Sequence, residues 1–204
     1  EPKNIDALYN QGLALNQLKK YQDAITCFDK VLEIDPKYIA AINNRGISLA
    51  ELGNTDDALE YYNKAIEIDP KYAAAYYNRG VLYDKLLKHE EAIQSLDEAI
   101  KCDSGNVNTA FYRGIVLGKM KKHEEALNCF ENICRKHPKH MDAYFHKGME
   151  LAELGKHDKA LAIFDKLLQI HEGNVNVIYA MARSNAAIAN IGRALYLLEL
   201  AVKK

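Results

Sequence analysis

The sequence predicts an all-α solenoid of helix–turn–helix repeats. Three observations predict it. Written in rows of 34 from Ile5, the chain aligns column by column with no insertion or deletion. The columns hold fixed residue types: Gly12, Gly46, Gly80, Gly114 and Gly148, then Ala182; alanine at 24, 58, 92, 126, 160 and 194; and bulky Phe28, Tyr62, Leu96, Phe130, Phe164 and Leu198. Within a row, apolar residues recur at helical spacing in two runs separated by a break.

The opening EPKNIDAL matches DPKYIAAI at 35–42 and DPKYAAAY at 69–76, where one row closes and the next begins. Residues 1–4 therefore read as the tail of an upstream repeat, and the chain is expected to be cut from a longer array or trimmed at a repeat edge. Full rows follow at 5–38, 39–72, 73–106, 107–140 and 141–174. In the second row, Ile42, Gly46, Leu49 and Leu52 form the first helical run, and Gly53-Asn54 breaks it. Ala58, Tyr62, Ala65 and Ile66 form the second run, and Pro70 stops it. Pro2, Pro36 and Pro138 share that column.

Second helices open with acids suited to the helix dipole: Asp56-Asp57, Glu90-Glu91 and Glu124-Glu125. A glycine inside a helix costs up to about 1 kcal/mol against alanine. Its recurrence predicts close helix–helix approach, with the glycine facing the alanine column. The last row, 175–204, is degenerate: Ala182 replaces glycine, Asn185 replaces an apolar residue, and no proline closes it. No Ser-, Gly- or Pro-rich linker interrupts the chain, so 1–204 is expected to be a single domain.

This pattern resembles the tetratricopeptide repeat over essentially the whole chain. The resemblance implies a right-handed superhelical solenoid whose first helices line a concave groove. It also implies a non-catalytic scaffold that binds a protein or peptide in that groove.

Composition is that of an ordinary globular protein: 204 residues, 49% hydrophobic, 27% charged, formal net charge −1. No apolar run reaches the ~20 residues that span a bilayer, so no membrane partner is expected. No signal peptide is visible, although the first residue is not Met. Cys27, Cys102, Cys129 and Cys134 match no zinc or redox spacing; they read as small packed residues in a reducing, cytoplasmic setting.

Catalytic motifs are absent: no G-x-S-x-G, no phosphate-cradling glycine loop, and no Cys/His pair with a third group. No enzyme activity and no cofactor are expected. His89, His123 and His157 share the column that opens the second helix, where packing or capping is the expected role. His137, His140 and His146 fall within ten residues, a weak metal candidate lacking Asp or Cys partners. Row four carries seven Lys/Arg against three Asp/Glu, but the 106 residues before it carry twelve against eighteen. That acidic stretch argues against nucleic acid.

Beside the core stripe of each first helix lies a second stripe: Tyr9, Asn43, Tyr77, Phe111, Phe145, Tyr179. One turn later come Leu13, Ile47, Val81, Ile115, Met149 and Arg183. A helix with one buried face would keep this stripe polar. Two explanations stay open: anchors in the groove, or packing between repeats. The neighbouring column, Asn10, Asn44 and Asn78 followed by Tyr112, His146 and Ala180, resembles in its first rows the asparagine ladder of the O-linked N-acetylglucosamine transferase superhelix. That resemblance keeps an alternative, a substrate-recruiting region of a larger glycosyltransferase-like enzyme. The candidate partner-binding residues are Tyr9, Asn10, Asn44, Ile47, Tyr77, Asn78, Val81, Phe111, Tyr112, Phe145, His146 and Tyr179.

The carboxylate clamp of chaperone adaptors is missing, because its Lys and Arg sites hold Tyr9 or Asn43, Ala74 with Asn78, or Asn108 with Tyr112. The Arg45, Arg79, Arg113 and Lys147 column is expected to reach toward second-helix acids. Val175, Val177, Ile191, Leu197 and Leu200 form an apolar last row expected to be covered by missing sequence or by self-association.

Overall fold

The computed structural model describes residues 4–203. Among them are twelve α-helices and no strand: α1 Ile5–Gln17, α2 Tyr21–Ile34, α3 Ile39–Glu51, α4 Thr55–Ile68, α5 Ala73–Lys85, α6 His89–Cys102, α7 Val107–Lys119, α8 His123–Lys136, α9 Met141–Glu153, α10 His157–Ile170, α11 Val175–Ala187 and α12 Ile191–Val202. Of the expected upstream tail, Glu1–Lys3 with Pro2 lie outside the described residues. Asn4 caps α1, its side chain accepting from the Ala7 amide.

By packing, the chain divides after Asn106 into two compact units. In the first, α1/α2, α3/α4 and α5/α6 are helical hairpins, and α1 touches α3 as α3 touches α5. In the second, α7/α8, α9/α10 and α11/α12 repeat the arrangement, with α7 on α9 and α9 on α11.

Each hairpin turns through a residue in the left-handed region: Lys19, Gly53, Leu87, Lys121, Gly155 and Ala189, one per row in one column. Only two of the six are glycine. A left-handed non-glycine residue costs roughly 1–2 kcal/mol. Leu87 is 78% exposed and contributes little packing. Leu87→Gly is expected to raise stability by about 0.5–1 kcal/mol, the gain reduced by glycine's freer unfolded chain. Urea denaturation measures this; a lower midpoint would show that the turn is not strained.

The cores centre on the bulky column. In the first unit, Phe28 packs with Ala24, Val31 and Ala41, and Tyr62 with Ile25, Leu49, Ala58 and Leu82. In the second, Phe164 packs with Ala160, Leu167, Ile178 and Met181.

The glycine column faces this bulky column, not the alanine side chains that the sequence suggested. A Cβ on Gly12 would stand 2.5 Å from Phe28 Cε1, and one on Gly148 2.5 Å from Phe164 Cε1. Gly46, Gly80 and Gly114 meet Tyr62, Leu96 and Phe130 in the same way. The hairpin leaves room for one large side chain at its centre, and glycine gives the ring its seat.

The last row corrects a second expectation. Val177 and Leu197 are buried, while Val175 and Ile191 are exposed and Leu200 is half-buried. Leu198, the bulky-column residue of this row, stays partly exposed. Ala182 brings a Cβ to the place glycine holds elsewhere, and Leu197 on the adjoining face of α12 is buried instead.

Candidate functional site

The candidate residues lie on the first helices of the two units. In the first unit, Tyr9, Asn44, Ile47, Tyr77, Asn78 and Val81 are half-buried, and Asn10 is exposed. In the second, Phe111, Tyr112, Phe145 and His146 are half-buried, and Tyr179 is 54% exposed. The stripe is therefore neither a free surface nor a core. Tyr9 leans on Phe28 and Tyr38, with ring centroids 6.0 and 5.2 Å away. Burial raises its phenol, and the neighbouring Tyr72 and Tyr38 add to the rise. Phe145 leans on Phe164 at 6.0 Å.

The asparagines tie each first helix to the one before it. Asn44 Nδ2 donates to Tyr9 Oη at 3.1 Å and to Ala40 O at 2.8 Å. Asn78 Nδ2 donates to Asn43 Oδ1 at 2.9 Å. Among the described residues neither Oδ1 accepts a bond, so each presents an acceptor at the helix surface. Sequence spacing placed these residues in one column, but it could not show that their N–H groups are already engaged.

In the second unit an aromatic cluster replaces the amides. His146 stacks on Phe130 at 5.3 Å and meets Phe111 and Phe145 edge-on. His140 lies 5.1 Å from Phe111 and caps α9, its Nδ1 accepting from the Ala143 amide. Two of the three histidines of the weak metal candidate are thus occupied by packing and capping. No group of three or more metal-ligating side chains occurs among the described residues.

Burial holds the His146 imidazole below its ordinary value, against a smaller upward pull from Asp142. The unfolded chain therefore takes up this proton first as pH falls. Its contribution to stability is complete above about pH 6.5 and is lost below it. His146→Phe, which keeps the ring stack, is expected to unfold with a weaker pH dependence between roughly pH 7.5 and 5.5. Parallel pH profiles for both proteins would contradict this.

The basic column reaches second-helix partners, though not always acids. Arg45 Nε pairs with Asp29 at 2.6 Å and lies over Tyr61, and Lys147 pairs with Glu131 at 3.1 Å. Arg79 departs from the expectation: it bonds Asn63 and Ser95.

The histidine column holds residues that sequence reasoning missed. His89 Nδ1 stands 3.1 Å from buried Asp84 Oδ1, close as charges yet poorly aligned for a hydrogen bond. His123 Nδ1 stands 2.7 Å from Glu150 Oε2. Glu150 is only 7% exposed. Gly118 makes room for it, since a Cβ there would meet Glu150 Oε1 at 2.6 Å. The signal was present: an acid in the column otherwise held by Ala14, Ser48, Leu82, Val116 and Ser184, and a second glycine inside α7.

No helix among the described residues is long and apolar enough to cross a membrane. Comparisons agree with the repeat reading. Residues 4–71 match one tetratricopeptide repeat model, and residues 43–107 and 113–175 match another, which alone spans more than half the chain. No curated protein matches the sequence. Among solved structures, YrrB, described as a TPR protein with an unusual peptide-binding site, is 27% identical with a TM-score of 0.73, over 86% of this chain and 91% of its own. PilF of Pseudomonas aeruginosa is 24% identical with a TM-score of 0.80, over 96% and 90%. MamA is 24% identical with a TM-score of 0.70, over 84% and 94%. The last two likenesses concern the fold alone. With its helical hairpins, its glycine-seated rings and these matches, the chain belongs to the tetratricopeptide repeat family.

Proposed function

We propose that this protein is a protein-interaction scaffold that holds a peptide segment or helix of a partner on its first-helix faces. One observation carries the reading. The stripe beside the core is largely aromatic and aliphatic, yet Tyr9, Tyr77, Phe111 and Phe145 stay partly exposed and Tyr179 is exposed. Packing behind the rings supports the reading, because a ring already held loses little freedom on binding. In the first unit the amide oxygens of Asn44 and Asn78 offer acceptors to a passing backbone N–H. The likeness to YrrB, a protein described with a peptide-binding site, points the same way.

The test is a peptide library screened against the 204-residue chain, with the bound peptide located by amide shift changes in NMR. Shifts are expected on α1, α3 and α5, or on α7, α9 and α11, around Asn44, Asn78, Phe145 and Tyr179. Shifts confined to the second helices would overturn the reading. Mapping is preferred to alanine substitution because Phe111 and Phe145 also support Phe130 and Phe164.

A further inference from the structure

Three rows open their second helix on a histidine. His89 faces the carboxylate of Asp84, and His123 faces that of Glu150. At His157 the pattern stops. One row beyond Glu150 the same column holds Ser184, which is 1% exposed and far shorter than glutamate. Ser184 Oγ and His157 Nδ1 are both buried, and neither has a hydrogen-bond partner among the described residues. Buried polar atoms without partners are uncommon and call for an occupant.

Both residues line a cavity of about 350 Å³ between α9, α10 and α11, walled by Met149, Ala152, Ala180, Ala186 and Ala187. That size falls in the low range for small-ligand pockets, roughly 300–1,000 Å³. At its lining stands Arg183, half exposed and paired with Glu153 at 2.8 Å. The Glu153 charge is thus partly neutralised, so it repels an incoming anion less than a bare carboxylate would.

We propose that this cavity binds a carboxylate carried by the partner peptide, which takes the place that Glu150 fills for His123 in the preceding repeat. It would accept from the Ser184 hydroxyl and from His157 Nδ1–H, satisfying two orphaned donors together. Water is the competing occupant, and the carboxylate must displace it. The proposal deepens the scaffold reading and rests on it for the source of the carboxylate; the pocket is testable alone.

The experiment uses the 204-residue chain and three small probes, read by the His157 ring signals in NMR. N-acetylglutamate α-amide carries only a side-chain carboxylate, N-acetylglutamine only a terminal one, and N-acetylglutamine amide carries neither. One of the first two is expected to shift His157 and saturate, and the third is not. Which acid works tells whether an acidic side chain or a chain end is taken. Ser184→Ala is expected to weaken binding by about tenfold, the effect of one hydrogen bond to a charge. Ser184→Glu supplies the carboxylate within the chain. It is expected to raise the melting midpoint and abolish the probe response.

Silence from both acids, an equal response to the neutral amide, or unchanged binding by Ser184→Ala would each overturn the proposal. These arms decide it even if Ser184→Glu fails to fold. Probe binding without any peptide on the first helices would sink the scaffold reading alone. Peptide binding with a silent His157 would sink the pocket alone.

Discussion

Phe130→Ala is expected to destabilise the chain by about 3–5 kcal/mol, the range for removing a fully enclosed aromatic ring. Phe130 is wholly buried at the centre of the α7/α8 hairpin. It sits over Gly114, takes Phe111 edge-on at 5.6 Å and stacks on His146. Three neighbours would line the resulting cavity, and the backbone at Gly114 has no side chain with which to fill it. Urea denaturation measures the loss. A second readout separates this mechanism from general loosening. With the ring gone, water reaches His146, and its depressed proton affinity should return toward the ordinary imidazole value. A loss below about 1 kcal/mol would mean that the hairpin collapses around the gap.

Gly148→Ala is expected to destabilise by about 1–3 kcal/mol through overpacking. Helix propensity alone predicts the opposite sign, a gain of up to about 1 kcal/mol. The added Cβ would stand 2.5 Å from a ring carbon of Phe164, which is fully buried and cannot swing out. Gly192→Ala is the matched control, because its Cβ meets nothing within 4 Å. That variant is expected to gain stability. The Gly148→Ala penalty should shrink in a Phe164→Leu background: leucine stands in that column at Leu96, where the nearest approach to the Gly80 Cβ is 2.9 Å. Equal signs for Gly148→Ala and Gly192→Ala would refute close packing as the reason for the glycine column.

Much of this fold was legible because a repeat states its periods many times over. Gly53-Asn54 and Pro70 marked the ends of α3 and α4 from local backbone chemistry, and the helices end there. The acids that open α4, α6 and α8 did the same for their first turns. The glycine column was recognised as a close approach, but its nearest partner is the bulky residue; the alanine column contributes only backbone oxygens, 3.4 Å from a Gly46 Cβ and 3.2 Å from a Gly80 Cβ. Alanine and the bulky residue lie one helical turn apart on the same face, and only side-chain direction decides which one the glycine meets.

The candidate site was legible to a lesser degree. Spacing grouped Tyr9, Asn44, Tyr77 and Asn78 on the first helices. It could not reveal the bond from Asn44 to Tyr9 or from Asn78 to Asn43, since each joins residues one row apart. The apolar last row was read as one surface to be covered from outside the row, yet Val177 and Leu197 are already buried within the fold. A helix always has a buried side, and hydrophobicity alone did not say which of Leu197 and Leu198 would take it.

By itself, the sequence determined the number of helices, their boundaries and the residues that share a face, because these follow from interactions within a few residues along the chain. Only the tertiary structure decided which side chain fills each glycine seat, and which carboxylate meets which histidine. It alone left Ser184 Oγ and His157 Nδ1 without a hydrogen-bond partner among the described residues. Those outcomes depend on distances between helices that are far apart in sequence, and side-chain length sets them as much as residue type. Glu150 spans the gap to His123, and Ser184, one row later in the same column, does not span the gap to His157.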